Sequence, residues 1–128
     1  MAARIKLKWV YEPASPEDGQ RILVDRLWPR GMTKERLNIV YWAKGVSPSN
    51  DLRKWYGHDP ECWDEFRDRY YAELQANPEG LRDLLEHIGS GLVTFLYSSK
   101  ERRMNNAVAL RDYVLPLLKP KTLSSAPR

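Results

Sequence analysis

The chain of 128 residues has one cysteine, Cys62, which excludes an intrachain disulfide and fits a reducing compartment. It has two histidines, His58 and His87, widely spaced from each other, and with a single cysteine they offer no ligand pairing. No metal and no other cofactor is therefore expected. No apolar run approaches the roughly 20 residues needed to cross a bilayer, so no membrane partner is expected. The opening residues Met1-Ala2-Ala3-Arg4-Ile5-Lys6 contain no signal-peptide apolar segment, and the expectation is a cytoplasmic protein. Also absent are a phosphate-cradling glycine-rich loop, a dinucleotide fingerprint, a serine nucleophile elbow and any internal repeat.

What is present is ordinary for a soluble domain: 42% apolar and 30% charged residues, enough chain for one core. The net charge of +4 is unevenly placed. Residues 119–128 carry three positive and no negative side chains, so the rest of the chain is nearly neutral. The expected organisation is one α/β domain over residues 1–118 and a basic, disordered tail over 119–128. A high isoelectric point that comes mostly from a tail is a poor argument for nucleic-acid binding.

Ile5, Leu7, Trp9 and Tyr11 alternate with wetter positions and predict a strand. Arg21 to Asp25 predicts a second strand, built on Ile22-Leu23-Val24, and Ile39 to Trp42 a third. Leu92 to Tyr97 is the clearest strand. Thr33 is the predicted cap of a short helix over Lys34 to Asn38, and Ser49 or Asn50 of one through Trp55-Tyr56. Asp59-Pro60 and Asn77-Pro78 are helix starts, each followed by an apolar stripe: Trp63, Phe66, Tyr70 and Leu74, then Leu81, Leu84, Leu85 and Ile88. A last helix begins near Asn105 and is ended or kinked by Pro116. Strands separated by helices predict a mostly parallel sheet of about four strands with helices on both faces.

In such sheets ligands bind beyond the carboxyl ends of the strands. That rule selects Tyr11–Ser15, Asp25–Gly31, Lys44–Ser47 and Ser98–Asn106. The second group is the most informative, because a buried strand runs directly into Asp25, Arg26 and Arg30. Charges beside a core need partners, and here they can partner each other or a ligand. Two guanidiniums can grip a phosphate or carboxylate, with Asp25 orienting one of them, holding a ribose hydroxyl or acting as a base. The alternative is an internal Asp–Arg pair that pins the loop. Trp28 is expected to be scaffold. Lys44 is a candidate point charge or a plain surface lysine. His58 is either a general acid–base group or a residue that caps a helix or packs beside Trp55, and His87 a surface residue. Ser98 and Asn106 can complete the hydrogen bonding around an anion. Cys62 is a poor nucleophile, because Glu61 and Asp64 beside it raise a thiol pKa.

Val24-Asp25-Arg26-Leu27-Trp28-Pro29-Arg30-Gly31 resembles domain-of-unknown-function family 488, in its YeaO-like branch. Further matches are Trp42-Ala43-Lys44, Ser47-Pro48, Leu52-Arg53-Lys54-Trp55 and His58-Asp59-Pro60 with Trp63, Phe66 and Tyr70. Val93 to Tyr97 and Asn105-Asn106-Ala107 complete the resemblance, which covers about residues 4–115. It implies a small α/β domain with a mostly parallel sheet and no established activity. It also keeps Arg53 as a weak candidate beside Arg26 and Arg30. Many relatives carry His where this chain has Asn106, so a ring-nitrogen role is not carried over.

The leading functional expectation is a cleft that binds a phosphate-bearing or nucleotide-like anion, with catalysis undecided. Asp25 and His58 are the candidate catalytic groups, and Arg26, Arg30, Lys44, Ser98 and Asn106 the candidate binding groups. The alternatives are a non-catalytic nucleic-acid-binding module using Arg4, Lys6, Lys8 and the tail, and a protein-interaction module using the five tryptophans and seven tyrosines.

Overall fold

Four strands carry the apolar runs: β1 (Arg4–Trp9), β2 (Gln20–Leu23), β3 (Tyr41–Trp42) and β4 (Leu92–Tyr97). All pair in parallel, in the order β1-β4-β2-β3. The computed structural model describes residues 4–118, so the basic tail expected over 119–128 lies outside the described residues. Among the described residues five α-helices accompany the strands: α1 (Lys34–Leu37), α2 (Asn50–Tyr56), α3 (Trp63–Gln75), α4 (Pro78–Ile88) and α5 (Asn106–Val114). The expected α/β architecture with a parallel sheet and helices on both faces is the observed one.

The two faces differ in thickness. Val93 and Phe95 of β4 and Ile22 of β2 meet Phe66, Tyr70 and Leu74 of α3, Leu84 and Ile88 of α4, and Leu110 and Val114 of α5. All of these are buried, each contributing about 1.5–3 kcal/mol by leaving water. On the other face Leu23 and Leu96 meet only Val10, Met32 and Leu37, closed over by Trp28, Ile39 and Trp42. Strand alternation explains the split, since successive side chains point to opposite faces.

The helix starts follow their sequence signals. The Thr33, Ser49, Asn77 and Asn105 side chains accept from the amides of Arg36, Leu52, Gly80 and Val108. Asp59 caps a 3₁₀ turn at Pro60–Cys62 that runs into α3. Helix α5 gives way to a 3₁₀ turn at Leu115–Leu118, around Pro116. The third strand is shorter than its apolar run. Asn38 takes a left-handed conformation (φ 51°) that ends α1; the Val40 amide donates to the Arg21 carbonyl while its side chain is exposed, and Tyr41 and Trp42 form the strand pairs. Gly19 is required where the chain enters β2. Its φ is +65°, and a Cβ there would lie 2.3 Å from the Leu92 carbonyl oxygen.

A buried ionic cluster that sequence reading missed lies on the thin face. Asp18 and Arg21 are both 2% exposed, and Arg21 Nη1 meets Asp18 Oδ2 at 2.6 Å. Lys8 Nζ lies 3.0 Å from Asp18 Oδ1, the Ser15 amide donates to Asp18 Oδ2, and Arg21 Nε donates to the Leu37 carbonyl. Burial alone would raise the Asp18 carboxyl pKa. The Lys8 ammonium, the Ser15 amide and the Arg21 guanidinium outweigh that and hold it below its ordinary value.

The connections place a crevice between the two central strands. After β2 the chain passes to the thin face and α1, and after β4 to the thick face and α5. Neighbouring strands whose chains diverge in this way leave an opening at their carboxyl ends.

Candidate functional site

A cleft of about 370 Å³ occupies that opening. The segment after β1 contributes Tyr11, the one after β2 contributes Asp25 to Arg30, and the one after β4 contributes Ser98, Ser99, Asn105 and Asn106. The α2 region adds Pro48, Arg53, Tyr56 and His58, and α3 adds Phe66. Three of the four strand-end groups selected from sequence therefore converge. The fourth does not. Strand β3 is only two residues long, and the chain turns at Ala43 into a 3₁₀ helix over Lys44–Val46. Lys44 is left exposed, its Nζ 5.0 Å from the Trp42 ring centroid, and it is not among the cleft residues.

Asp25 is held by neutral donors. Its Oδ2 accepts from the Ser98 amide (2.8 Å) and the Ser98 hydroxyl (2.6 Å), and its Oδ1 accepts from Asn106 Nδ2 (3.0 Å). Its carbonyl accepts from the Trp42 indole at 2.7 Å. Among the described residues no ion pair joins Asp25, Arg26 and Arg30. The internal Asp–Arg pin considered from sequence is not formed here. The comparable network is the Lys8–Asp18–Arg21 cluster.

The two arginines have different surroundings. Arg26 is partly buried and donates through Nε to the Pro48 carbonyl (2.9 Å) and through Nη2 to the Ser47 carbonyl (3.2 Å). Ser47 is itself fixed, its hydroxyl lying 3.0 Å from the Val24 carbonyl and 3.1 Å from that of Ala43. Arg30 is exposed, and its guanidinium has no partner among the described residues. Only its carbonyl is engaged, by the Tyr11 hydroxyl at 2.9 Å. Arg53 lines the same cleft and touches Asn50 Oδ1 at 3.0 Å. Three guanidiniums thus share the cleft with the Asp25 carboxylate. Trp28 braces the loop, its indole donating to the Met32 carbonyl at 2.7 Å and its ring edge meeting Trp42.

Ser98 and Asn106 stand beside Asp25, in a different posture from the one expected. Both Asn106 amide hydrogens are spent, on the Val24 carbonyl and on Asp25, and the Ser98 hydroxyl and amide are spent on Asp25. Neither has a side-chain donor left for an anion. His58 lies at the rim in a left-handed conformation (φ 60°) just after the Gly57 cap of α2. It packs beside Tyr56, ring centroids 5.8 Å apart, and not beside Trp55, which lies against Arg69. The Tyr56 hydroxyl donates to the Met104 carbonyl at 2.7 Å. Burial first, then the carboxylates of Glu101 and Asp59, push its pKa up to about 12. His87 is exposed and stacks on Tyr41, 3.7 Å between ring centroids. Burial first, then the carboxylates of Asp59, Glu65 and Glu61, raise the pKa of the Cys62 thiol; of the two acidic neighbours singled out from sequence, Glu61 contributes and Asp64 does not.

Sequence reading missed Tyr56, Phe66 and Pro48 as cleft residues. Tyr56 and Phe66 belong to helical apolar stripes, and nothing in that periodicity separates a core aromatic from one that also floors a cleft. The Ser47-Pro48 pair follows the 3₁₀ turn over Lys44–Val46, and its two carbonyls are the ones the partly buried Arg26 caps.

A family model described as "Inactive DUF488-N3 subclade" matches residues 4–128. The chain is 40% identical over 107 residues to an uncharacterized protein of Mycobacterium tuberculosis, covering 84% of this chain and 90% of that protein. It is 40% identical over 113 residues to the uncharacterized protein YeaO of Escherichia coli, covering 88% of this chain and 98% of YeaO. No solved structure matches the chain. No helix among the described residues is long and apolar enough to cross a membrane.

Proposed function

The chain belongs to the DUF488 family, in its inactive N3 subclade, and from that premise we propose that it is a non-catalytic binding protein whose cleft takes a phosphate-bearing anion. One observation carries the reading: Arg30 lines a cleft at the β2–β4 divergence, is exposed, and its guanidinium has no protein partner among the described residues. Arg26, fixed by two carbonyls, and Arg53 line the same cleft. Guanidiniums suit phosphate oxygens because their planar donors match them in pairs. The volume lies within the range of small-ligand sites.

The description of the subclade as inactive agrees with the state of the candidate catalytic groups. Asp25 already accepts three hydrogen bonds, which leaves it poorly placed to take a substrate proton. Among the described residues His58 has no hydrogen-bond partner to orient it as a base. The nucleic-acid alternative loses support on the β1 side. Lys8 is spent on Asp18, and Lys6 donates to the Glu17 carbonyl.

Thermal unfolding with millimolar phosphate and phosphate monoesters tests the proposal. Binding to the native state raises the midpoint by mass action. A rise in wild type that is lost in a folded Arg30→Ala variant is the expected result. The absence of any rise with every phosphate compound contradicts it.

A further inference from the structure

Hydrogen-bond accounting at the cleft floor says more about the ligand than the arginines do. Asn106 has two amide hydrogens, and they go to the Val24 carbonyl and Asp25 Oδ1, each at 3.0 Å. This fixes which end of the amide is which, and it leaves the Asn106 side-chain oxygen without a donor among the described residues. The Ser98 hydroxyl has one hydrogen, given to Asp25 Oδ2 at 2.6 Å, so its oxygen can only accept from any further partner. The Asp25 carboxylate can only accept, and Oδ1 has a single partner. Three adjacent cleft side chains therefore offer acceptors and no donors, while the arginines of the same cleft offer donors and no acceptors.

Resting on the phosphate-binding reading, we propose that the ligand is a phosphate monoester that also carries hydroxyl groups, a sugar phosphate or a nucleotide. Its phosphate meets Arg30 and Arg26, and its hydroxyls donate to Asp25, Ser98 and Asn106. A bare phosphate or an alkyl phosphate fills the guanidinium half of the cleft only. It brings no donor to the floor, and its negative charge gains nothing from the Asp25 carboxylate. A hydroxyl bonded to a carboxylate is a charge-assisted contact, worth about tenfold or more in affinity when water is displaced.

Calorimetric titration of the full chain with inorganic phosphate, ethyl phosphate, ribose 5-phosphate and adenosine 5′-monophosphate tests this. Ribose 5-phosphate and the nucleotide are expected to bind about tenfold more tightly than ethyl phosphate. A further gain from ribose 5-phosphate to the nucleotide assigns a nucleotide ligand, and no gain assigns a sugar phosphate. In Asp25→Asn, which puts a donor on the floor, the preference over ethyl phosphate is expected to fall towards one. If that variant does not fold, Ser98→Ala removes one acceptor, keeps the backbone amide that holds Asp25, and is expected to narrow the same ratio. Equal binding of ethyl phosphate and ribose 5-phosphate by wild type overturns the hydroxyl inference and leaves the anion site standing. A preference that survives undiminished in the folded variants overturns the role given to the floor. No binding of any phosphate compound overturns both readings together.

Discussion

Two clusters of charge in this small sheet have opposite fates. On the thin face, Lys8, Asp18 and Arg21 close on one another, with Asp18 and Arg21 shut away from water. Beyond the carboxyl ends of β2 and β4, Asp25, Arg26 and Arg30 ignore one another. Asp25 is held by a serine and an asparagine, Arg26 by carbonyls, and Arg30 by nothing among the described residues. A charge satisfied by an opposite charge is consumed by the fold. A charge positioned by neutral groups keeps its field for something else, so proximity of Asp and Arg in sequence is a weak guide to which case applies.

The sharpest way to break the comparison is at the closed cluster. Arg21→Ala leaves Asp18 buried with a single cationic partner and is expected to destabilise the fold by about 3–5 kcal/mol, read from urea unfolding. Ser98→Ala removes a hydroxyl donor to Asp25 and is expected to cost about 1.5–3 kcal/mol in the same assay. The Asp18 cluster should also appear in the acid limb of stability. Its carboxyl pKa is lower folded than the ordinary value of 3.8, so its contribution is present above that pH and is lost as pH falls through the folded value. Asp18→Asn should flatten that part of the stability profile. Arg30→Ala is expected to change stability least, by less than about 0.5 kcal/mol, because the side chain is exposed and unpaired. A large loss there would show that the cleft arginine is structural after all.

Much of the fold was legible because it rests on local signals. Asp59-Pro60, Asn77-Pro78 and the caps Thr33, Ser49 and Asn105 mark helix starts, and Leu92 to Tyr97 reads as a buried strand from composition alone. Strand-end positions then located most of the cleft. Pairing was not legible. Nothing local distinguishes Asp18 with Arg21, three residues apart across the turn at Gly19, from Asp25 with Arg26 and Arg30. Only the register against β4, where Thr94 hydrogen-bonds the Asp18 carbonyl, shuts the first set in. Lys44 failed to reach the cleft for a similar reason, since β3 pairs with β2 over only two residues and the chain then turns at Ala43 into a 3₁₀ helix. Ser98 and Asn106 were found in the right place with their donors already spoken for, which depends on the approach of residues 73 and 81 positions apart in sequence.

The most direct test of the open-versus-closed contrast is a nitrogen–proton magnetic resonance titration of the full chain with ribose 5-phosphate. The Ser98 backbone amide and the Arg30 side-chain Nε signal are expected to shift together and saturably, while the Arg21 Nε signal stays where it is. Movement at Arg21 with none at Ser98 and Arg30, or no saturable movement at all, would contradict the account.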